Sequence, residues 1–377
     1  MPWKAATPMS LRLEFVQLAL ADSANIRLLC QRFGISAMTA YKWIDRFRQG
    51  GIAALEDRSR RPHRSPRKIA SALEAAIVAE RQRHPAWGGR KIRHRLLMQG
   101  YCDVPSASTL TAVFRRHGLL PMPFTRPTRD LQRFEAPAPN ALWQMDFKGD
   151  FPLLIGRCYP LTVLDDYSRF ALRLVACPDQ RLNTVQSHVS SIFRRYGLPQ
   201  RILADNGGPW GSCGNDGYTA LEVWLIRLGI SLNHSRVCHP QTLGKDERFH
   251  RTLQLELLSQ RTFVDLTDCQ RHFDLWRDPY NLERPHEALQ MAVPATRYQP
   301  SVRLFPETLP PIEYDTGVIV RKVQAKGEFS FHNREFKIGR VFAGLAIALR
   351  PTLTDGLYDV FFSWKRIAQI NLNHYTH

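Results

Sequence analysis

An acidic side chain inside an apolar, strand-forming run is costly, and this chain carries two such aspartates. Leu142-Trp-Gln-Met-Asp-Phe-Lys148 sets Asp146 among aromatic and apolar neighbours, and Arg201-Ile-Leu-Ala-Asp-Asn-Gly-Gly208 is a short apolar strand that ends in Asp205 before an Asn-Gly-Gly turn. The fold must therefore offer sheet positions where a carboxylate has a use. A third acid opens a helix. Pro240 and Gly244 interrupt the backbone, then Phe249, Leu253 and Leu257 recur at helical spacing, which predicts a loop leading into an amphipathic helix with Glu247 in its first turn. Glu247 lies off the apolar face, one turn before Arg251, where a carboxylate also suits the positive end of the helix dipole. Alone, this window reads equally as a solvated acid-base helix. Two acids on strands and one at a helix start can converge to hold a pair of oxygen-liking divalent ions, and phosphoryl chemistry uses two such ions about 3.5–4 Å apart.

Charge indicates what those acids would act on. The 377 residues hold 52 Lys and Arg against 34 Asp and Glu, a formal net charge of +18. About 24 of the basic residues and about 10 of the acidic ones fall in residues 1–135, so the front end should bind phosphates before anything else. No run approaches the ~18 apolar residues of a membrane span and no charged-then-apolar leader opens the chain. The expectation is a soluble, cytoplasmic protein whose partner is nucleic acid and not membrane. Seven cysteines, at 30, 102, 158, 177, 213, 238 and 269, form no Cys-x-x-Cys pair and read as free thiols.

In the basic third, residues 11–21, 25–34 and 37–49 read as helices, with a Gly turn at Gly34 and a Ser36 cap at helix-turn-helix spacing. Thr39, Lys42 and Arg46 would then face the major groove, while Trp43, Ile44 and Phe47 pack inside. A three-helix bundle that meets only water is the bland alternative. Residues 57–68 break all periodicity with two prolines and many basic side chains, among them Arg58, Arg60, Arg61 and Arg64, an arm that can lie along phosphates or simply be solvated. Residues 70–83, 87–100 and 106–117 form a second helical unit, with Ser106 and Ser108 as caps and Arg115 and Arg116 on a basic face. Five prolines between Pro121 and Pro139 make a linker. Residues 156–165 and 169–176 read as an antiparallel pair, 181–196 as a helix, 201–204 as a strand, 217–228 as a helix and 230–233 as a short strand. Asp165 and Asp166 compete with Asp146 for a catalytic role, but they stand at a turn, where Asp is favoured anyway. After Pro300 six short alternating runs (317–323, 328–332, 334–338, 345–349, 358–363 and 366–372) suggest a small β-barrel of five or six strands.

Four motifs occur together and in order: Trp143-Gln-Met-Asp146; Leu203-Ala-Asp-Asn-Gly207; His239-Pro-Gln-Thr242 with Gly244-Lys-x-Glu-Arg-Phe249; and Tyr280-Asn-x-x-Arg-Pro-His286. On these the chain resembles bacterial insertion-sequence transposases of the retroviral-integrase superfamily, the Asp-Asp-Glu enzymes with a ribonuclease-H-like core. The resemblance covers essentially the whole chain and implies that Asp146, Asp205 and Glu247 are the catalytic, metal-holding triad. It departs from the family at Leu243, where Asn is common, and in a longer gap between Asp205 and Glu247, which we assign to the Gly-rich stretch 207–217.

The expected fold is multidomain. An all-α helix-turn-helix domain spans 1–56, a basic linker 57–68, a second helix-turn-helix domain 69–120 and a Pro-rich linker 121–139. An α/β ribonuclease-H-like integrase core with a mixed five-stranded sheet spans 140–300, and a small β-barrel 310–377. The resemblance implies a DNA transposase that binds the ends of an insertion sequence and catalyses metal-dependent strand cleavage and strand transfer with Mg²⁺, for which Mn²⁺ substitutes. Lys245, Arg248 and Arg251 would reach phosphates near the scissile bond, and His250, one turn from Glu247, either does so or is locally paired. The partners are double-stranded DNA, as transposon ends and target, and further copies of the chain in a dimer or larger assembly, in the bacterial cytoplasm at the nucleoid. A DNA-binding regulator derived from a transposase and a structure-specific DNA nuclease are the alternatives. Asn281, Arg284 and His286 belong to the fourth motif without a chemistry the sequence reveals.

Overall fold

Short polar residues set the helix ends. A computed structural model describes residues 7–58, 69–120, 134–211, 217–234 and 244–373, and the chain divides into two units, 1–68 and 69–377. In the first, Thr7 caps α1 (Pro8–Ala19), Asn25 caps α2 (Ile26–Phe33) and Ser36 caps α3 (Ala37–Gly50), each side chain accepting from the backbone N–H three residues on. Gly34 ends α2 at φ 65°, a left-handed turn that glycine adopts without strain. Phe15, Val16, Ala40, Trp43, Ile44 and Leu55 make the core, so Trp43 packs inside as expected.

The second unit opens with α4 (Ser71–Arg83), α5 (Gly89–Met98) and α6 (Ala107–Arg116), the last capped by Ser106. Their core holds Ile77, Trp87, Ile92, Leu96, Leu110 and Phe114. A Cβ on Gly89 would stand 2.4 Å from the Ala107 carbonyl oxygen, so only glycine lets α5 cross α6 this closely.

The central sheet comprises β1 (Trp143–Phe147), β2 (Phe151–Pro152), β3 (Arg157–Asp165), β4 (Ala171–Cys177), β5 (Arg201–Ala204) and β6 (Ser231–His234). β4, β3 and β1 run antiparallel, β1, β5 and β6 parallel, and the two-residue β2 adds to the edge of β3. Apart from that short addition it is the mixed five-stranded sheet the sequence predicts. Alternation sends Trp143 and Met145 to the face covered by α7 (Leu182–Tyr196) and α8 (Ala220–Arg227). On the opposite face Leu164, Ala171 and Leu174 pack under α9 (Gly244–Leu253) and α10 (Leu266–Leu282), through Phe249, Leu253, Phe273 and Tyr280. The fourth sequence motif closes this face. Asn281 donates to the Ala171 carbonyl at 3.0 Å and accepts from its N–H at 2.8 Å, Arg284 donates to Glu256 at 3.0 Å, and Tyr280 meets Phe249 edge-on.

All six C-terminal runs form strands: β7 (Ile319–Lys322), β8 (Glu328–Phe331), β9 (Arg334–Lys337), β10 (Ala346–Pro351), β11 (Leu357–Phe362) and β12 (Lys365–Asn371). They do not close into the barrel expected of them. Among the described residues β12-β11-β10-β7 is an open sheet and β8-β9 a separate hairpin. The chain turns sharply after β7, with Gln324 N–H bonding to the Glu328 carbonyl, and the approach of β8 to β7 is bridged by the Arg321 side chain on the Ser330 carbonyl at 3.2 Å in place of a backbone ladder. The module packs on α8: Trp364 Nε1 donates to the Ile226 carbonyl at 2.8 Å and Lys365 Nζ to Glu222 Oε1 at 2.8 Å. Five cysteines, at 30, 102, 158, 177 and 269, are free, and no helix among the described residues is long and apolar enough to cross a membrane.

Candidate active site

Strand register decides where the acids meet. β1 and β5 pair in parallel with Trp143 opposite Ile202 and Gln144 opposite Leu203, and carrying that register on sets Asp146 beside Asp205 at the carboxyl ends of neighbouring strands. Adjacent strands lie about 4.8 Å apart, so the two carboxyls share one small volume. Because side chains alternate, Asp146 faces the α9 side together with Gln144. Burial pushes the Asp146 pKa up to about 7, the charge of Asp205 adds to this, and Glu247 acts in the same direction against a bond from the Phe147 N–H. Glu247 stands exposed in the first turn of α9. Among the described residues no three His, Cys, Asp or Glu side chains are gathered closely enough to hold a metal ion. The two aspartates are thus side by side, and the glutamate reaches Asp146 by its field and not by contact. Residues 235–243, the loop that feeds α9, lie outside the described residues.

A polar frame ties α9 to the sheet. Buried Gln144 accepts from the Asp246 N–H at 3.3 Å and donates to Asp166 at 2.8 Å, while Asp166 also accepts from the Ala136 N–H at 2.7 Å and pairs with Lys245. Asp165 accepts from Ser168 and Asn140. Both turn aspartates are fully buried and committed to partners within the fold, which leaves Asp146 as the acid open to a ligand. Thr162, opposite Asp146 on β3, donates its hydroxyl to the Asp146 carbonyl at 3.0 Å and lies 2.8 Å from His250 Nε2. A hydroxyl has one proton to give, so His250 carries its own on Nε2 and turns Nδ1 toward Asp146 Oδ2, 3.9 Å away. Burial and then Lys148 push the His250 pKa down to about 4, so the ring is neutral.

The residues expected to touch DNA fall into three groups. Lys42 and Arg58 are exposed, Arg46 and Thr39 half-exposed on α3, and Arg115, Arg248 and Arg251 exposed. Arg116 is paired with Glu74 at 2.8 Å, and Lys245 is turned inward on Asp166, so both charges are already engaged. Arg60, Arg61 and Arg64 lie outside the described residues. Sequence reasoning missed Gln144, Thr162 and Asp246. The last is buried between Asp146 and Asp166 with neither carboxyl oxygen partnered, and burial raises its pKa well above the ordinary carboxylate value. Its signal was present: 246, 249, 253 and 257 share one helical stripe.

Comparison with known proteins follows the same segments. A helix-turn-helix domain model matches residues 11–63 and a homeodomain-like domain model 39–114. Two integrase core domain models match 136–240, which holds Asp146 and Asp205, and 228–294, which holds Glu247 and the fourth motif. The model of the IS481 family transposase C-terminal domain matches 318–377. These matches give the chain an integrase core domain and make it similar to bacterial insertion-sequence transposases. Among the relatives, an uncharacterized 31.7 kDa protein of insertion element IS407 from Burkholderia multivorans is 28% identical over 42% of this chain and 55% of its own length. An uncharacterized 39.2 kDa protein of insertion element IS476 from Xanthomonas euvesicatoria is 26% identical over 61% and 65%, and the transposase for transposon Tn552 from Staphylococcus aureus 24% identical over 72% and 63%. The chain therefore spans between about half and two thirds of the length of these relatives. Among solved structures, the catalytic core domain of BIV integrase covers 42% of this chain and 93% of its own at 19% identity, with a TM-score of 0.33.

Proposed function

We propose that the chain is a DNA transposase that binds the ends of its insertion element through its helical modules and performs strand cleavage and then strand transfer, with divalent metal held by Asp146, Asp205 and Glu247. The register of Asp146 against Asp205, beneath the first turn of α9, carries this reading. A carboxylate whose pKa is raised by burial and by a neighbouring negative charge, as that of Asp146 is, is relieved by a cation, and an all-oxygen donor set suits Mg²⁺, with Mn²⁺ as its substitute. Bound there, the metal supplies Lewis acidity toward phosphodiester oxygens. The chain's own side chains do the remaining work. Thr162, itself fixed by neutral His250, holds the backbone of Asp146 in place, while Arg248 and Arg251 contact flanking phosphates. Thr39, Lys42 and Arg46 of α3 read the element's end, and the arm with Arg58, Arg60, Arg61 and Arg64 follows the backbone beside it. In the first step water attacks phosphorus and the bond to the 3′ oxygen breaks, freeing a 3′-hydroxyl. In the second that hydroxyl attacks a target phosphodiester, one P–O bond replacing another. Bridging two ends calls for a dimer or larger assembly on DNA.

A labelled duplex of the element's terminal repeat, incubated with the protein and Mg²⁺, tests this. Asp146→Asn, Asp205→Asn and Glu247→Gln are each expected to abolish cleavage while leaving end binding intact. Strand transfer by purified Glu247→Gln removes that residue from the site, and binding without cleavage by the wild-type chain favours a regulator.

A further inference from the structure

The second helical module meets the catalytic core through charges. Arg95 Nη2 donates to Glu283 Oε2 at 2.7 Å, and Arg90 Nη1 lies 3.8 Å from Glu287 Oε1. Beside these pairs the surface opens into two adjoining hollows of about 420 and 600 Å³ that share Arg90 and Glu287 as walls. Arg90, Lys91, Arg93 and His94 of α5 and Ser106 at the cap of α6 line one side. The core supplies Glu287 and Met291 on the other. That wall is rigid. Gln290 and Met291 both hold left-handed backbone, φ 55° and 69°, fixed by the Met291 N–H on the His286 carbonyl at 2.8 Å and the His286 N–H on the Ala292 carbonyl at 3.1 Å.

The lining selects its ligand. Cationic side chains outnumber the single acid, which favours a polyanion. No Phe, Tyr or Trp ring lines either hollow, so the broad platforms that stack an unpaired base are missing, and a duplex backbone suits it better than a single strand. The cleft also adjoins the first turn of α6, and in a helix-turn-helix the start of the second helix is the part that meets base edges.

We propose that the cleft between α5, α6 and the Glu287–Met291 wall binds the phosphodiester backbone of duplex DNA, and that Glu287 occupies Arg90 until a phosphate takes its place. DNA held there touches the reading module and the catalytic core at once. This rests on the transposase reading.

The test measures binding of full-length protein to the element's terminal-repeat duplex across a KCl series. Arg90 is exposed, so Arg90→Ala leaves the fold intact; it is expected to weaken binding and reduce the slope of log K against log salt by about 1, as loss of one phosphate contact does. Glu287→Gln removes the competing carboxylate and is expected to tighten binding severalfold. An unchanged slope for Arg90→Ala together with unchanged affinity for Glu287→Gln, in a background where the wild-type chain binds the duplex, overturns the cleft. A wild-type chain that binds no duplex overturns the reading beneath it.

Discussion

His286 sits edge-on to Tyr280, 4.9 Å between ring centres, and burial, with Arg284 and Lys91 adding to it, pushes its pKa down to about 2. An unfolded histidine titrates near about 6.5, so this one takes up a proton only on unfolding. Its contribution is complete above that pH and is lost as the pH falls below it. Between pH 7 and pH 5 the loss is about 2 kcal/mol. Urea unfolding at the two pH values, on wild type and His286→Gln, reads it as the extra loss in wild type; parallel behaviour of the two refutes it. The residues of the site were legible to different degrees. Asp146 and Asp205 stood out because acids are rare in apolar strands, and strand register then brought them together. That Lys245 points inward depends on Asp166, a turn aspartate 79 positions earlier, and no local pattern announces such a partner.

At the scale of elements, β4 depends on a side chain of α10. The amide of Asn281 satisfies both backbone groups of Ala171, the first residue of the strand. Asn281→Ala leaves a buried donor and a buried acceptor without partners, and the expected cost is about 3 kcal/mol. A urea midpoint within error of wild type would show that the strand edge does not need the amide. The starts of α3 and α6 were readable from the sequence because Ser36 and Ser106 act on backbone N–H groups three residues away. Strand positions were readable from alternation. How the last six strands pair was not, since closure depends on which edges meet, and here β7 and β8 part at a tight turn where a barrel would have continued. The two-residue β2 is too short to leave any periodic trace.

For the molecule as a whole, residues 1–68 and 69–377 are separate units with separate cores. A charge forced into the first core, as in Ile44→Asp, is expected to unfold that unit alone. Calorimetry should then show one transition lost and the other unmoved, with selectivity for the element's end lost and affinity for arbitrary duplex reduced but present. A single shared transition for all 377 residues would contradict it. Helical spacing made the basic front end legible, and four ordered motifs the core. The place of Glu247 was legible only in part, because it stands on a helix whose approach is set by side chains from β1 and the turn after β3.

The tail of the chain is bolted to α8 by Trp364 and Lys365, and α8 begins soon after the segment that follows Asp205. A pull on the last sixty residues is therefore felt one helix away from the sheet edge that carries Asp205, so anything that grips the tail has a short lever on that carboxylate.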